Sequence, residues 1–232
     1  MKKKFDYHIY LVTDDTYLQG PGCFGVLEEC LAAGVTVVQY RAKAKSGREM
    51  LRDAQQVKLL TDRYQVPLII NDRIDLAMAV DADGVHLGQS DLPYAVARKL
   101  LGDEKEIGLS STSYEEGRAA ILAGADCIGV GPIYPTPTKK DAKLPCGLTV
   151  LNRLRAEFPA VPMIAIGGIS LDNASPVVSA GANGLAIISA ILGSPNPAVA
   201  VAGFKKIWRD GTSADESRQR RVLDDGSSGN RA

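Results

Sequence analysis

The sequence predicts an α/β fold, a single (β/α)8 TIM barrel, and three observations lead to it. A short apolar run rich in β-branched residues, followed by a helical segment, recurs eight times along the chain. The runs are apolar without alternation, as in Cys127-Ile128-Gly129-Val130-Gly131 and Met163-Ile164-Ala165-Ile166-Gly167, which is what a parallel sheet covered by helices requires. The pairs Ala33-Gly34, Ala123-Gly124 and Ala180-Gly181 each end a helical stretch just ahead of a strand, where glycine can take the left-handed C-cap conformation. An open doubly wound sheet is the alternative. It would carry a glycine-rich dinucleotide turn after its first strand, and Thr13-Asp14-Asp15-Thr16 is no such turn.

The expected strands are Ile9 to Thr13, Val35 to Tyr40, Leu68 to Asn71, Gly84 to Leu87, Glu106 to Ser110, Cys127 to Gly131, Met163 to Gly167 and Gly184 to Ile188. Helical spacing of apolar residues marks stretches such as Gly25 to Ala33, Arg48 to Tyr64, Tyr114 to Ala123, Thr149 to Phe158 and Ala174 to Ala180. Residues 1–208 are read as the barrel catalytic domain. Residues 209–232, rich in Gly, Ser, Asp and Arg, are read as a disordered tail.

A chain of 232 residues with 45% hydrophobic content can bury one large core. Its 27 basic and 27 acidic residues cancel, so no global field favours nucleic acid or an anionic membrane, and any anion site must be local. Cys23, Cys30, Cys127 and Cys146 match no zinc, redox or disulfide spacing. They read as reduced thiols, and none is expected to be a nucleophile. The apolar run Ile9 to Val12 is too short for a signal or membrane segment. The expected location is therefore cytoplasmic, and a homo-oligomer is compatible with the composition.

In such a barrel the functional residues gather at the C-terminal ends of the strands. After the second strand, Gln39, Arg41 and Lys43 alternate and would share one face if extended. A guanidinium fork with an ammonium suits a di- or triphosphate; a solvated basic loop is the bland reading. The third strand ends in Asn71-Asp72, and Asp91 stands nineteen residues on, in the turn Gly88-Gln89-Ser90-Asp91. Two carboxylates beside a basic strand end describe a Mg2+-pyrophosphate site, since Mg2+ takes one or two carboxylates plus water and phosphate oxygens. Each aspartate could instead be a helix N-cap.

Four further features complete the mouth. His86 lies inside the fourth strand and reads as a core histidine with one hydrogen bond, with a supporting role behind the site as the alternative. Ser110-Ser111-Thr112 offers hydroxyls to a phosphate or to a helix start. Gly131-Pro132-Ile133-Tyr134-Pro135-Thr136-Pro137-Thr138-Lys139-Lys140-Asp141 reads as a stiff lid over an anion. Ile166-Gly167-Gly168-Ile169 and Ile187-Ile188-Ser189-Ala190 resemble the barrel device in which glycine N–H groups and a short helix start hold a phosphate.

Together, QYRAK, Asn71-Asp72, GQSD, GPIYPTPTKK, IGGI and IISA resemble, in order and approximate spacing, the motifs of the thiamin phosphate synthase family, over nearly the whole chain to about Lys205. The resemblance implies a transferase that joins 4-amino-5-hydroxymethyl-2-methylpyrimidine diphosphate to a thiazole phosphate, with Mg2+ as cofactor and pyrophosphate released. It implies that Gln39, Arg41, Lys43, Asn71, Ser110 and Lys139 bind the pyrimidine diphosphate. Asp72 and Asp91 would hold Mg2+, and Thr136, Thr138, Gly168, Ile188 and Ser189 the thiazole phosphate. Arg41, Lys43, Ser110 and Lys139 would form the catalytic set. Two rivals stand beside this reading. A thiazole tautomerase would keep the thiazole phosphate pocket without the full pyrimidine and metal set, and a non-catalytic phosphate-binding barrel would need no paired carboxylates.

Overall fold

The computed structural model describes residues 4–20, 22–138 and 144–211. Eight parallel strands form the barrel: β1 (Ile9–Val12), β2 (Val37–Tyr40), β3 (Leu68–Asn71), β4 (Gly84–Leu87), β5 (Glu106–Ser111), β6 (Cys127–Val130), β7 (Met163–Ile166) and β8 (Gly184–Ile187). They pair in chain order, and β1 closes the ring on β8 with Ile9 opposite Leu185. The outer layer holds α1 (Cys23–Ala33), α2 (Gly47–Arg63), α3 (Ile74–Ala79), α4 (Tyr94–Leu101), α5 (Tyr114–Leu122), α6 (Gly147–Glu157), α7 (Ala174–Ser179) and α8 (Ser189–Leu192). A last helix, α9, covers 197–211. It takes in residues 209–211, which the composition had assigned to a tail; the remainder of that segment lies outside the described residues.

Every expected strand is present. The largest shift is at β2, which starts at Val37 rather than Val35. Val35 still belongs to the end of α1, because its N–H donates to Cys30 O at 3.2 Å while Gly34 N–H donates to Leu31 O at 3.0 Å. This paired closure recurs after α2, α3, α5 and α7, centred on Gln65, Asp81, Gly124 and Gly181. The central residue has positive φ in all five. It satisfies carbonyls that a helix end would otherwise leave open.

The strands carry an alternation that their apolar composition hides. Residues such as Leu11, Val38, Ile70, Val85, Ile107 and Ile128 belong to the large core packed under the helices. Their neighbours Tyr10, Val12, Val37, Ile69, Cys127 and Ile164 form a smaller core inside the barrel. A strand sends successive side chains to opposite faces, so Gln39, Asn71, His86 and Ser110 share the inward face with this second core. The interior is polar toward the mouth and mostly apolar toward the N-terminal end, where the buried Glu106 carboxyl accepts from Tyr7 OH.

The opposite end of the barrel is tied by a device repeated every second strand. The residue just ahead of β2, β4, β6 and β8 caps an N–H at the start of the preceding strand, the first residue's in β1, β3 and β7 and the second's in β5. Ile9 N donates to Thr36 Oγ1 at 3.0 Å, Leu68 N to Asp83 Oδ2 at 2.9 Å, Ile107 N to Asp126 Oδ2 at 2.7 Å and Met163 N to Asn183 Oδ1 at 2.9 Å. Two of the caps are themselves held by arginines: Arg98 reaches Asp126 at 2.6 Å, and the Arg155 guanidinium donates to the Asn183 side chain.

Deleting such a cap strands a buried backbone donor, which costs about 1–3 kcal/mol. Asp126→Ala should therefore lower the unfolding free energy by about that amount in urea denaturation. Asp126→Asn, which keeps an acceptor as Asn183 does in the equivalent place, should lose less. Equal losses in the two variants would show that the cap does not act through its oxygen.

Candidate active site

The strand ends surround one cavity of about 810 Å3, a size suited to a pair of small ligands or one large one. On one side are the ends of β2, β3 and β4. Gln39, Arg41 and Lys43 line the cavity there, with Asn71, Asp72 and Asp91 beside them. Lys43 Nζ contacts Asp72 Oδ2. Asp72 has φ 62, an uncommon conformation that aspartate tolerates better than most residues. Its N–H donates to His86 O at 2.9 Å, so the β3–β4 pairing continues to the carboxylate and fixes where it points.

The helix-cap alternative for the two aspartates is set aside by the geometry. The N-cap of α3 is Arg73 and that of α4 is Pro93. Asp91 Oδ2 instead accepts from Gly88 N at 2.7 Å, which folds the turn back on itself and carries the carboxyl toward Asp72. Burial first, and then the neighbouring Asp72 carboxyl, push the Asp91 pKa up. Two carboxyls held this close repel when both are ionised and are relieved by a cation between them. Among the described residues, no group of three or more His, Cys, Asp or Glu side chains could hold a metal. A divalent ion here would complete its shell from water and ligand oxygens, which fits Mg2+.

Residues that the sequence passed over hold this side in place. The β1 end runs into Thr13, Asp14 and Asp15. Thr13 Oγ1 accepts from Arg41 N at 2.9 Å and donates to Arg41 O at 3.2 Å. Asp14 Oδ2 accepts from Arg41 NH1 at 2.5 Å, and Asp15 Oδ2 accepts from Lys43 N at 2.6 Å and Ala44 N at 2.8 Å. Tyr10 OH, inside the barrel, accepts from Gln39 Nε2 at 2.8 Å and so turns the amide oxygen of Gln39 away from itself.

Ser110 lies within β5 and lines the cavity. It does not cap α5; Ser113 does, accepting from Glu116 N at 3.1 Å. Ser110 Oγ and His86 Nε2 are 3.0 Å apart. The His86 ring fits because its neighbours are glycines: a Cβ at Gly108 would come within 2.5 Å of Nδ1, and one at Gly129 within 3.0 Å of Cε1. Burial pushes the His86 pKa down to about 4, so the ring is neutral near pH 7. His86 is thus a cavity residue as well as a packing one.

The far side is built from the loops after β6, β7 and β8. Thr136, Thr138, Gly168, Ile188 and Ser189 line the cavity there, and Thr138 Oγ1 stands 3.4 Å from Ser189 Oγ. The loop after β6, expected as a lid, is anchored through Tyr134: Ile133 N donates to Ile166 O at 2.9 Å and Tyr134 N to Gly167 O at 3.0 Å. Gly168 has φ 64, and a Cβ there would sit 2.5 Å from Pro135 O, so the two loops interlock at a position only glycine fills. Asn173, also unforeseen, accepts from Ser170 N at 2.8 Å and donates to Gly168 O at 2.9 Å. Lys139 lies outside the described residues. Cys146 is half-buried, and burial pushes its thiol pKa up; buried Cys127 is shifted the same way. Neither is poised as a thiolate.

A closed (β/α)8 barrel whose single mouth gathers cations, paired carboxylates, hydroxyls and glycine turns belongs to the barrel enzymes that handle phosphorylated small molecules. Comparison with known proteins makes this specific. The family described as thiamine monophosphate synthase matches residues 9–191. The thiamine-phosphate synthase of Chloroflexus aurantiacus is 46% identical over 202 residues, covering 87% of this chain and 93% of that protein. That of Syntrophomonas wolfei is 45% identical over 203 residues, covering 88% and 97%. The solved structure of thiamine phosphate pyrophosphorylase from Pyrococcus furiosus superposes with a TM-score of 0.79 at 34% identity, covering 89% of this chain and 98% of that one. The chain belongs to the thiamine monophosphate synthase family and is a transferase acting on small molecules. Among the described residues, no helix is long and apolar enough to cross a membrane.

The half-buried histidine gives a test of this geometry. Unfolded, His86 takes up a proton near its usual pKa of about 6.5; folded, it does so only near 4. Between those values the unfolded state binds more protons, so stability falls as pH is lowered through the window. His86→Gln should flatten the dependence of unfolding free energy on pH between about 6.5 and 4 in urea melts. An unchanged slope would mean that His86 is not buried neutral.

Proposed function

We propose that the chain condenses 4-amino-5-hydroxymethyl-2-methylpyrimidine diphosphate with 4-methyl-5-(2-phosphoethyl)thiazole to give thiamin phosphate and pyrophosphate, or with its carboxylated precursor to give the same two products and CO2. The observation that carries this reading is one cavity with two unlike poles. The pole at β2 to β4 offers Arg41, Lys43, Asp72 and Asp91, and the pole at β6 to β8 offers Thr136, Thr138, Gly168 and Ser189. The first suits a diphosphate with a divalent cation, the second a single phosphate. A tautomerase acting on the thiazole phosphate alone would have no use for the first.

In this reading Gln39 and Asn71 orient the pyrimidine, and Arg41 and Lys43 hold the diphosphate. Lys139, next to Thr138 in the sequence and outside the described residues, would add a third cation to this set. Asp72 and Asp91 would hold Mg2+, which when bound neutralises charge on the leaving group. Ser110, steadied by His86, donates to the pyrimidine diphosphate. Thr136, Thr138, Gly168, Ile188 and Ser189 bind the thiazole phosphate and aim the thiazole nitrogen at the pyrimidine methylene.

The reaction needs no protein nucleophile. The methylene–oxygen bond breaks with its electron pair passing to pyrophosphate, leaving a methylene cation stabilised by the aminopyrimidine. The thiazole nitrogen lone pair then forms the new carbon–nitrogen bond. Arg41 and Lys43 contribute by stabilising charge on the departing group, and the walls contribute by holding the two rings in line. The four thiols, all free among the described residues, agree with a cytoplasmic setting.

Purified protein given both substrates and Mg2+ should form thiamin phosphate and pyrophosphate one for one, and chelation of the metal should stop it. No product under those conditions would sink the synthase reading. Asp91→Ala should lower kcat by about 100- to 1000-fold, as loss of a main electrostatic contact does, while leaving thiazole phosphate affinity nearly unchanged. An Asp91→Ala enzyme with full activity would remove Asp91 from the metal site.

A further inference from the structure

The end of β1 contributes three consecutive residues to the mouth, Thr13, Asp14 and Asp15, that the reaction above does not use. Each grips a different part of the segment that follows β2. The β1–β2 pairing ends with Thr13 N donating to Gln39 O at 2.9 Å. Beyond it, side chains take over from the backbone: the Thr13 hydroxyl clamps both the N–H and the carbonyl of Arg41, and one Asp15 oxygen receives the N–H groups of Lys43 and Ala44. Asp14 holds the Arg41 side chain itself, with both side chains largely withdrawn from solvent at 15% and 11% exposure.

Asp14 is not free to follow Arg41. Its Oδ1 accepts from Thr16 N at 3.1 Å, and its carbonyl accepts from Tyr17 N at 3.0 Å and Leu18 N at 2.9 Å. The carboxylate is fixed by its own turn, so the long arginine side chain is the partner that must adjust. A carboxylate here is also unexpected on charge alone, because it stands behind a cation that faces an anion site and weakens the local positive field. It makes sense as a support. A guanidinium has five donors, so one N–H can be spent on Asp14 while others remain directed at the cavity that Arg41 lines. Fixing the fork beforehand removes the rotamer freedom that binding would otherwise have to remove.

We propose that Thr13-Asp14-Asp15 is a positioning element for the diphosphate-binding segment Arg41 to Lys43, with Asp14 setting the orientation of the Arg41 guanidinium. The inference rests on the reading that Arg41 binds the diphosphate. Asp14 touches no reacting atom; it acts through Arg41, and its effect disappears when Arg41 is absent.

A double-mutant cycle tests this. Asp14→Ala, Arg41→Ala and the double variant are compared by kcat/KM for the pyrimidine diphosphate, by thiazole phosphate affinity and by thermal melting. Asp14→Ala should lower kcat/KM for the diphosphate about 10- to 100-fold, the range for loss of a hydrogen bond to a charged group. It should leave thiazole phosphate affinity unchanged and add nothing to the defect of Arg41→Ala. If Asp14→Ala does not fold, Asp14→Asn serves in its place, because its amide oxygen can still accept from Thr16 N while the charge that holds Arg41 is gone. Additive defects, a silent Asp14 variant beside a damaged Arg41→Ala, or equal weakening toward both substrates would overturn the positioning role alone. An Arg41→Ala enzyme with normal kcat/KM for the diphosphate would overturn the diphosphate reading, and the inference with it.

Discussion

The Asp91 carboxyl is pressed against that of Asp72 at neighbouring strand ends, and burial with this proximity makes its proton harder to lose. A fold gains nothing from such a pair by itself, since ionising both carboxyls brings like charges together out of bulk water. The backbone nevertheless holds them there: Asp72 sits at positive φ with its N–H tied to His86 O, and Asp91 is turned inward by Gly88 N. Lys43 offsets one of the charges. What remains is an arrangement that the proposed function reads as a seat for a small divalent ion accompanied by an anionic ligand.

The two ends of the barrel divide the labour. At the N-terminal end, the caps Thr36, Asp83, Asp126 and Asn183 repeat with every second strand, and this regularity closes the ring. At the mouth no two strand ends are alike. β1 gives a clamp, β2 the cations, β3 and β4 the carboxylates, β5 a hydroxyl backed by a histidine, and the last three strands interlocked loops. Symmetry serves stability at one end, and its loss at the other gives one cavity two unlike poles.

The barrel was legible in the sequence because its signals are local. An apolar run is a strand whichever face its residues take, and glycine after alanine marks a helix end. Where the same helix closure is made without glycine, at Gln65 and Asp81, composition carries no mark of it. The split of each strand between an outer and an inner core was hidden for a related reason, since Ile69 and Ile70 look alike in sequence yet face opposite ways. Residues whose chemistry is exposed at strand ends, such as Lys43, Asp72 and Asp91, were visible as candidates, but the rival role of the two aspartates as caps could be settled only by finding Arg73 and Pro93 in the cap positions. Supporting residues were invisible. Asp14 matters through a partner 27 residues on, which nothing in its local sequence announces, and Asn173 matters by tying Ser170 N and Gly168 O, three and five residues back, into a turn whose geometry the sequence does not show. His86, read as structural, proved to reach the cavity because Gly108 and Gly129 make space for its ring.

The central claim is that the paired carboxylates and the cations of β2 form one metal-dependent diphosphate site. Calorimetric titration of the pyrimidine diphosphate into the protein, without the thiazole phosphate and with or without Mg2+, tests it most directly. The account predicts tight one-to-one binding that requires Mg2+ and is lost in Asp72→Ala. Equal affinity in the absence of the metal, or undiminished binding to Asp72→Ala, would contradict it.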